Sequence, residues 1–448
     1  MELSRELHCF SVYDEYFVFI ADTLNLYKIN PTIAPYFFGK SKLPVNLIRR
    51  LPGDIFVHPP KNQCSRDNQV YSSSNSLSLY VTYDCNMACS YCFEKDYHSQ
   101  FKKRSMDFET ARKAVDLIFR ISDWNEREEI EINFFGGEPL LNMKVIKQVV
   151  EYAINKARNK NKSVGFTIST NGTLLNFKNM DFLKKYNFGI LVSIDGPEDI
   201  HNKHRKFLSG SGTFKVIMDN LKDYKDDTFF IRATQGDKSI SMAEQLNYLL
   251  NTFPAASVHV EPLFWGEKAS CIDRKDVEKE LSDFFKAVIS NIPKQSYIRI
   301  RGIFHYFSIL YFRNPSYWSC AFGKMIAVDP DGNIYPCQSA VGERKYLISN
   351  INDDYDINDI FLKYQTAPVQ YLPFCKNCWA RFLCAGGCYI AKDRMGEEIY
   401  KKYHCEYKKR LIEYILYLYW MLKENKPSDF IKLKEKLKNT VHRSNLSI

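Results

Sequence analysis

The chain of 448 residues has no apolar run of 18 residues, so no membrane-spanning helix is expected. Its opening, Met1-Glu-Leu-Ser-Arg-Glu-Leu-His, lacks the basic-then-apolar order of a secretory signal, and a cytoplasmic protein is expected. Low-complexity stretches are missing. With 19 glycines and 17 prolines there is no excess of either, which excludes collagen-like and disordered classes. No nucleic-acid-binding module is recognisable, so neither nucleic acid nor a membrane is expected as a partner. What is present is a globular composition, 45% hydrophobic and 25% charged, with length for a large core and two to four domains. The chain also carries 13 cysteines. Without an export signal these argue for a reducing compartment and metal binding rather than disulfides.

The cysteines fall into two arrays. The first is Cys85-Asn-Met-Ala-Cys89-Ser-Tyr91-Cys92, a C-x3-C-x2-C run directly after an alternating β-rich segment, 76–83. A cubane cluster has four irons, and thiolates are its usual protein ligands. Three cysteines leave one iron open to a small chelating molecule. The alternatives are a zinc knuckle or three buried cysteines, although zinc sites usually take four ligands at other spacings. The run resembles the signature of radical S-adenosylmethionine (SAM) enzymes. That resemblance implies a [4Fe-4S] cluster on Cys85, Cys89 and Cys92 whose open iron is chelated by SAM, with Tyr91 among the cofactor-binding residues.

From residue 76 onward, strands alternate with helices. Strands are expected at 76–83, 129–135, 163–169, 188–194, 228–234 and 257–264, and helices at 108–121, 143–160, 176–186, 213–224, 241–253 and 274–292. Six β-then-α units imply a parallel sheet with right-handed crossovers. Six is too few for a closed eight-fold barrel. The expected fold is α/β, the partial (β/α)6 barrel of the radical SAM family, with its chemistry at the carboxyl ends of the strands. Those ends carry polar, glycine-bearing segments. Gly136-Gly137-Glu138-Pro139 matches the family's GGEP motif, which implies contacts to the amino end of SAM methionine. Ser169-Thr170-Asn171 and Ser193-Ile-Asp195 resemble segments near the ribose and carboxylate, and Arg232 is a candidate partner for the SAM carboxylate. Taken singly, each segment also reads as an ordinary turn. After the fourth strand, Asp199-Ile-His201-Asn-Lys-His204-Arg205 reads as a helix-side loop rather than a metal pair, and it looks like a stretch common in the peptide- and protein-modifying branch.

The second array comprises Cys320, Cys337, Cys375, Cys378, Cys384, Cys388 and Cys405. Residues 326–337 read as a hairpin turning at Asp331-Gly332. Seven ligands exceed one tetrahedral zinc site. The spacing resembles the seven-cysteine SPASM extension, which implies two auxiliary iron–sulfur clusters. By that resemblance Cys375, Cys378, Cys384 and Cys405 ligate one, and Cys320, Cys337 and Cys388 the other. Some relatives supply a fourth cysteine to the latter; residues 321–332 contain none. An open iron there suits a substrate thiolate. Cys9, Cys64 and Cys271 fit neither array; Cys9 is expected to be buried, and Cys271 is a candidate for the open iron.

Four domains are expected: 1–70, a small N-terminal α+β unit with a linker; 76–310, the barrel; 315–405, the cysteine-rich extension; and 406–448, a helical tail. Strands at 16–20 and 25–29, with helices at 33–38 and 43–51, resemble the peptide-recognition element of enzymes that modify ribosomally made peptides. A plain N-terminal cap is the alternative. A helix is expected at 407–423, and fraying at 427–448. The net charge is +10, and residues 401–448 hold 12 Lys and Arg against 5 Asp and Glu. This reads as a solvated helical face, or as a site for an acidic leader peptide. The resemblance implies that a 5′-deoxyadenosyl radical abstracts hydrogen from a precursor peptide and leads to a crosslink such as a thioether, with ferredoxin or flavodoxin as reductant. The alternatives are formylglycine formation, as in anaerobic sulfatase-maturating enzymes, and a non-catalytic iron–sulfur electron carrier. No catalytic acid or base is singled out by the sequence.

Overall fold

The computed structural model describes residues 7–39, 52–53, 75–92, 104–124, 126–223, 229–263, 274–292, 299–318, 322, 325–357 and 368–441. The chain divides into two compact units, Met1–Asn68 with Ile272–Cys320 and Ala367–Ser444, and Gln69–Cys271 with Ala321–Thr366 and Asn445–Ile448. This division differs from four consecutive domains, because the N-terminal strands share a unit with the C-terminal helices. The helix expected at 43–51 and the linker of 61–74 lie outside the described residues, as do Cys64, Cys271 and Cys320.

In the first unit, β1 (Leu7–Val12), β2 (Glu15–Ile20) and β3 (Asn25–Ile29) form an antiparallel sheet in that order. The strand β1 was not expected. Its turn, Tyr13-Asp14, has φ of 50° and 61°, a two-residue hairpin geometry built without the glycine that usually announces it. A short helix, Ala34–Phe37, follows. The sheet packs on the long helix Glu406–Asn425: Phe17 meets the rings of Tyr417 at 6.0 Å and Trp420 at 5.3 Å. The tail does not fray at once. Pro427–Val441 is helical because Phe430, Leu433 and Leu437 share one face and bury it.

The second unit carries a nine-stranded sheet. Six parallel strands follow one another: β4 (Ser76–Thr82), β5 (Glu129–Gly136), β6 (Ser163–Thr170), β7 (Gly189–Ser193), β8 (Phe229–Gln235) and β9 (Ser257–Pro262). Beyond β4 the sheet continues through β10 (Met325–Val328), parallel to β4, then β11 (Asn333–Tyr335) and β12 (Ser349–Asn350), both antiparallel. The β10–β11 connection is the expected hairpin, with Gly332 at φ 83°. These are the β/α units of a partial barrel. Period-two alternation gives each strand two faces. Ile130, Ile132 and Phe134 of β5 are buried on the helix-covered face. Glu131 and Asn133 occupy the inner face, where Thr167 donates to Asn133 at 3.2 Å and Asn133 to Ser78 at 3.3 Å. Among the described residues no helix is long and apolar enough to cross a membrane.

The core of these units is aromatic. Phe134, Phe166 and Phe188 stack in a triangle with ring centroids 5.4 to 6.3 Å apart. Phe134 is fully buried. Phe134→Ala is expected to cost about 3–5 kcal/mol, lost contacts and cavity together, read as a lower denaturant midpoint.

Candidate active site

The carboxyl ends of β4 and β5 approach until only glycine fits between them. A Cβ on Gly136 would lie 2.2 Å from the Thr82 carbonyl oxygen, and one on Gly137 2.3 Å from that of Asp84. Gly136 also takes φ 129°, closed to most side chains. The approach lets the Gly137 N–H donate to Thr82 O at 3.0 Å and the Glu138 N–H to Asp84 O at 2.8 Å. The glycines were expected to admit a ligand; what lies against them here is the root of the Cys85–Cys92 run. Glu138 is fully buried, and its carboxylate accepts from Thr170 Oγ1 at 2.7 Å, the Asn171 N–H at 2.8 Å and the Leu140 N–H at 3.1 Å. Burial pushes its pKa up to about 7 against these donors. In this structure the carboxylate ties the end of β5 to the end of β6.

The far side of the cysteine run is gripped by residues 204–208. Ala88 N–H donates to Lys206 O at 2.8 Å, Ser90 N–H to His204 O at 3.0 Å, and Leu208 N–H to Asn86 O at 3.2 Å, with a bridge between Met87 and Phe207. Asn171 reaches the run as well: its amide donates to Asn86 Oδ1 at 2.9 Å and toward Cys85 Sγ at 3.9 Å. The three thiols lie close enough to influence one another's charge, and burial pushes the Cys85 thiol up to about 12. Burial raises Cys89 too, opposed by the adjacent Arg205 guanidinium.

Asp195 is buried and surrounded by donors. Its Oδ2 accepts from Arg205 Nε at 2.8 Å and from the Tyr91 hydroxyl, and its Oδ1 from the Thr234 N–H at 3.0 Å. Burial alone would raise its pKa; Arg205 and the other donors hold it below the usual carboxylate range. Tyr91 and Asp195, both expected at the cofactor, are therefore joined to each other. Ser169 and Ser193 sit at or beside the ends of β6 and β7, and Ser193 lies opposite Arg232 across the β7–β8 ladder. Arg232 Nη2 is engaged by Glu261 at 2.8 Å.

Asn86, Thr173 and Arg205 were missed as site residues. Asn86 and Thr173 join through a 2.8 Å bond, and Arg205 spans a long sequence separation to Cys89. Only the adjacency of Asn86 to Cys85 offered a local signal. His201 and His204 diverge. His201 is buried with Nε2 3.0 Å from Thr213 Oγ1, while His204 Nδ1 lies 2.8 Å from Ser90 Oγ. Burial, with the Arg205 charge, lowers the His201 pKa to about 4.

The second array has its own local order in the first unit. The thiols of Cys375, Cys378, Cys384 and Cys405 sense one another's charge. Ala385, Gly386 and Gly387 take φ of 53°, 95° and 70°, and the Gly386 and Gly387 N–H groups turn toward the Cys384 sulfur. The Cys388 N–H donates to the Tyr400 hydroxyl at 3.0 Å. Cys337 is buried in the second unit just past β11. Among the described residues no three Cys, His, Asp or Glu side chains are arranged to hold a single metal ion. An iron–sulfur cubane spreads its thiolates over separate irons, wider than the shell of a zinc ion at about 2.3 Å. Partly buried thiols that bear on one another's charge, with backbone N–H donors beside Cys85 and Cys384, fit such a cluster.

Residues 79–231 match the model of the Radical SAM superfamily. A cysteine-type anaerobic sulfatase-maturating enzyme of Clostridium novyi (strain NT) is 26% identical over 339 residues, covering 70% of this chain and 88% of that relative. The radical SAM cyclopropyl synthase TigE of Paramaledivibacter caminithermalis is 24% identical over 370 residues, covering 76% of this chain and 74% of that relative. Among solved structures, native anSMEcpe with bound AdoMet and Cp18Cys peptide aligns with a TM-score of 0.62 at 23% identity, over 82% of this chain and 99% of that one. At this identity the likeness concerns the fold.

Glu138→Ala leaves three buried donors without an acceptor and is expected to cost at least about 3 kcal/mol in chemical denaturation, with Glu138→Gln losing less. His201 gives a pH signature. Its folded pKa lies below the unfolded value of 6.5, so the unfolded chain takes up a proton first and stability falls as pH drops from 6.5 toward 4. The full loss is about 3 kcal/mol. His201→Gln should flatten that slope in denaturant titrations at pH 7 and pH 5.

Proposed function

We propose that this chain, an enzyme whose residues 79–231 form a radical SAM domain, abstracts hydrogen from a Cys-containing precursor peptide and closes a crosslink of the thioether type. The observation that carries the reading is the trio of half-buried thiols, Cys85, Cys89 and Cys92, just past the carboxyl end of β4 and near enough for their charges to bear on one another. Three thiolates leave one corner of a four-iron cluster for the amino and carboxylate groups of SAM methionine. SAM bound there supplies, on one-electron reduction, the 5′-deoxyadenosyl radical that takes the hydrogen.

The chain's own residues bind and orient. Cys85, Cys89 and Cys92 hold the cluster; Asn171 donates toward the Cys85 sulfur, and the Arg205 charge bears on Cys89. Tyr91, Gly136–Pro139, Ser169–Asn171, Ser193 and Asp195 border the SAM side, with Glu138 and Asp195 fastening strand ends. Arg232, the candidate partner for the SAM carboxylate, is paired with Glu261 at 2.8 Å. Cys375, Cys378, Cys384 and Cys405 would hold an auxiliary cluster, which would supply an acceptor for the electron left when a C–H and an S–H hydrogen are replaced by a C–S bond. A ferredoxin or flavodoxin is the class of donor that suits the first reduction.

Two features favour a peptide substrate. The sulfatase-maturating relative is covered over 88% of its length but leaves 30% of this chain outside the match. Residues 7–29 of this chain form a three-stranded antiparallel sheet, β1–β3. A small antiparallel sheet of this kind suits a leader peptide added as a strand. Absence of cysteine from residues 321–332 suits a thiol-bearing substrate. The second reading is formylglycine formation on a sulfatase, which that same relative favours.

Anaerobic incubation of the reconstituted chain with SAM, a low-potential reductant and a Cys-containing precursor peptide decides between them. The expected product has lost two hydrogens per link and keeps its sulfur. A product with an aldehyde in place of the thiol establishes the second reading. Cys89→Ala should abolish 5′-deoxyadenosine release, and a wild-type chain that releases none points to an electron carrier instead.

A further inference from the structure

The buried ion pair of Arg205 and Asp195 borders the cysteine run and fastens strand ends, and its placement asks for more. Arg205 is 9% exposed and Asp195 1%. Bringing both charges out of water is costly before their attraction is counted, and apolar replacements of such pairs are often neutral or stabilising. Fastening the cysteine run does not require them: the backbone bonds from Ala88, Ser90 and Leu208 already join residues 86–90 to residues 204–208.

The pair is directional. Arg205 Nε donates to Asp195 at 2.8 Å, and Arg205 lies opposite Cys89, because the carbonyls of its neighbours Lys206 and His204 accept from the N–H groups of Ala88 and Ser90 on either side of that cysteine. The cation therefore stands next to the thiol, and its anion is held at the end of β7 by the Thr234 N–H and the Tyr91 hydroxyl. Tyr91, two residues from Cys89, stacks under the guanidinium with Cζ 5.3 Å from its ring centroid. Main-chain bonds fix Arg205 from both sides: its N–H donates to His201 O at 2.8 Å, and its carbonyl accepts from Thr213 Oγ1 at 2.8 Å.

We propose that Arg205 sets the reduction potential of the cluster carried by Cys85, Cys89 and Cys92, and that Asp195 and Tyr91 are positioning residues that aim its charge at the Cys89 sulfur. The proposal rests on the reading that those three cysteines hold a cluster. Reduction adds one electron, taken from a low-potential donor, to a cluster whose thiolates are already negative. A buried cation beside one sulfur stabilises the extra charge, and charge and hydrogen bonds at the sulfurs are the protein's levers on such potentials. The anion behind Arg205 offsets part of that effect. Removing the cation and removing the anion must then act in opposite directions.

The test is a mediator-poised redox titration of the full reconstituted chain, followed by electron paramagnetic resonance on the signal that changes when SAM is added. In Arg205→Met the reduced-to-oxidised ratio at fixed poise is expected to fall about tenfold, equivalent to 59 mV for one electron. In Asp195→Asn it should rise, and in Arg205→Lys it should lie between wild type and Arg205→Met, with iron content unchanged in all three. Shifts of one sign in Arg205→Met and Asp195→Asn, or no shift in either, overturn the proposal. If Arg205→Met loses its cluster, the sign of the Asp195→Asn shift decides. Loss of the SAM-responsive signal from Arg205→Lys as well assigns a fastening role only and also overturns it. A wild-type chain with no SAM-responsive signal, or a Cys89→Ala variant with undiminished iron, defeats the underlying cluster reading, and this is visible before any Arg205 variant is titrated.

Discussion

The close approach of the β4 and β5 carboxyl ends is the constraint on which the site depends. The register of these strands shifts between Tyr80 and Thr82, and this puts Thr82 opposite Gly136. A side chain at either Gly136 or Gly137 would meet a backbone carbonyl at little more than 2 Å, a separation that forces backbone to move. With both glycines present, two N–H groups of the turn close on the carbonyls of Thr82 and Asp84, immediately ahead of Cys85. The direction in which the cysteine run leaves the sheet is thereby set by main chain, which has few degrees of freedom to lose. Glu138, next in sequence, carries the same constraint across to β6 by accepting from Thr170 and Asn171. One turn thus links three strand ends, and the Asn171 amide completes the circuit to Cys85.

Much of this architecture is legible in the chain itself, for a physical reason. The strands of a parallel sheet are buried and bounded by turn residues, so runs such as residues 76–82 and 163–170 stand out, and the intervening helices show apolar spacing of three and four. The cysteine arrays are legible because metal chemistry restricts spacing. What escaped was of two kinds. The first strand, Leu7–Val12, is joined through Tyr13-Asp14, a pair that adopts positive φ without a glycine to mark it. The tail helix Pro427–Val441 is masked by lysines, although Phe430, Leu433 and Leu437 supply a buried stripe. Long polar side chains around a narrow apolar face lower mean hydropathy without removing the face.

The second kind concerns partners. Glu138, Asp195 and Arg232 could be singled out as polar groups at or near strand ends, but not what each would touch. Each is engaged by protein: Glu138 by three donors, Asp195 by Arg205, Tyr91 and Thr234, and Arg232 by Glu261. Residue type reveals that a group must be satisfied when buried; it does not reveal by which neighbour, since the neighbours stand anywhere from 2 to 104 residues away in the chain.

These engaged groups bear on how such a site keeps its shape. A pocket for a polar cofactor must hold charges and donors in a low-dielectric wall, where each unpaired group is costly. The network at these strand ends meets that demand by pairing donors with acceptors from different strands. Removing any one member strands its partner, so the network resists piecemeal loss even where an apolar substitute would pack as well. Its geometry is also asymmetric: at the Cys85 end the sulfur faces a neutral amide from Asn171, and at the Cys89 end a full cation from Arg205. Two thiolates of one chemical type thereby stand in different fields. A charge arriving at their common group would be stabilised more on the Cys89 side than on the Cys85 side, an imbalance written by two residues, Asn171 and Arg205, that lie on separate segments and that only the folded sheet brings to the same run of cysteines.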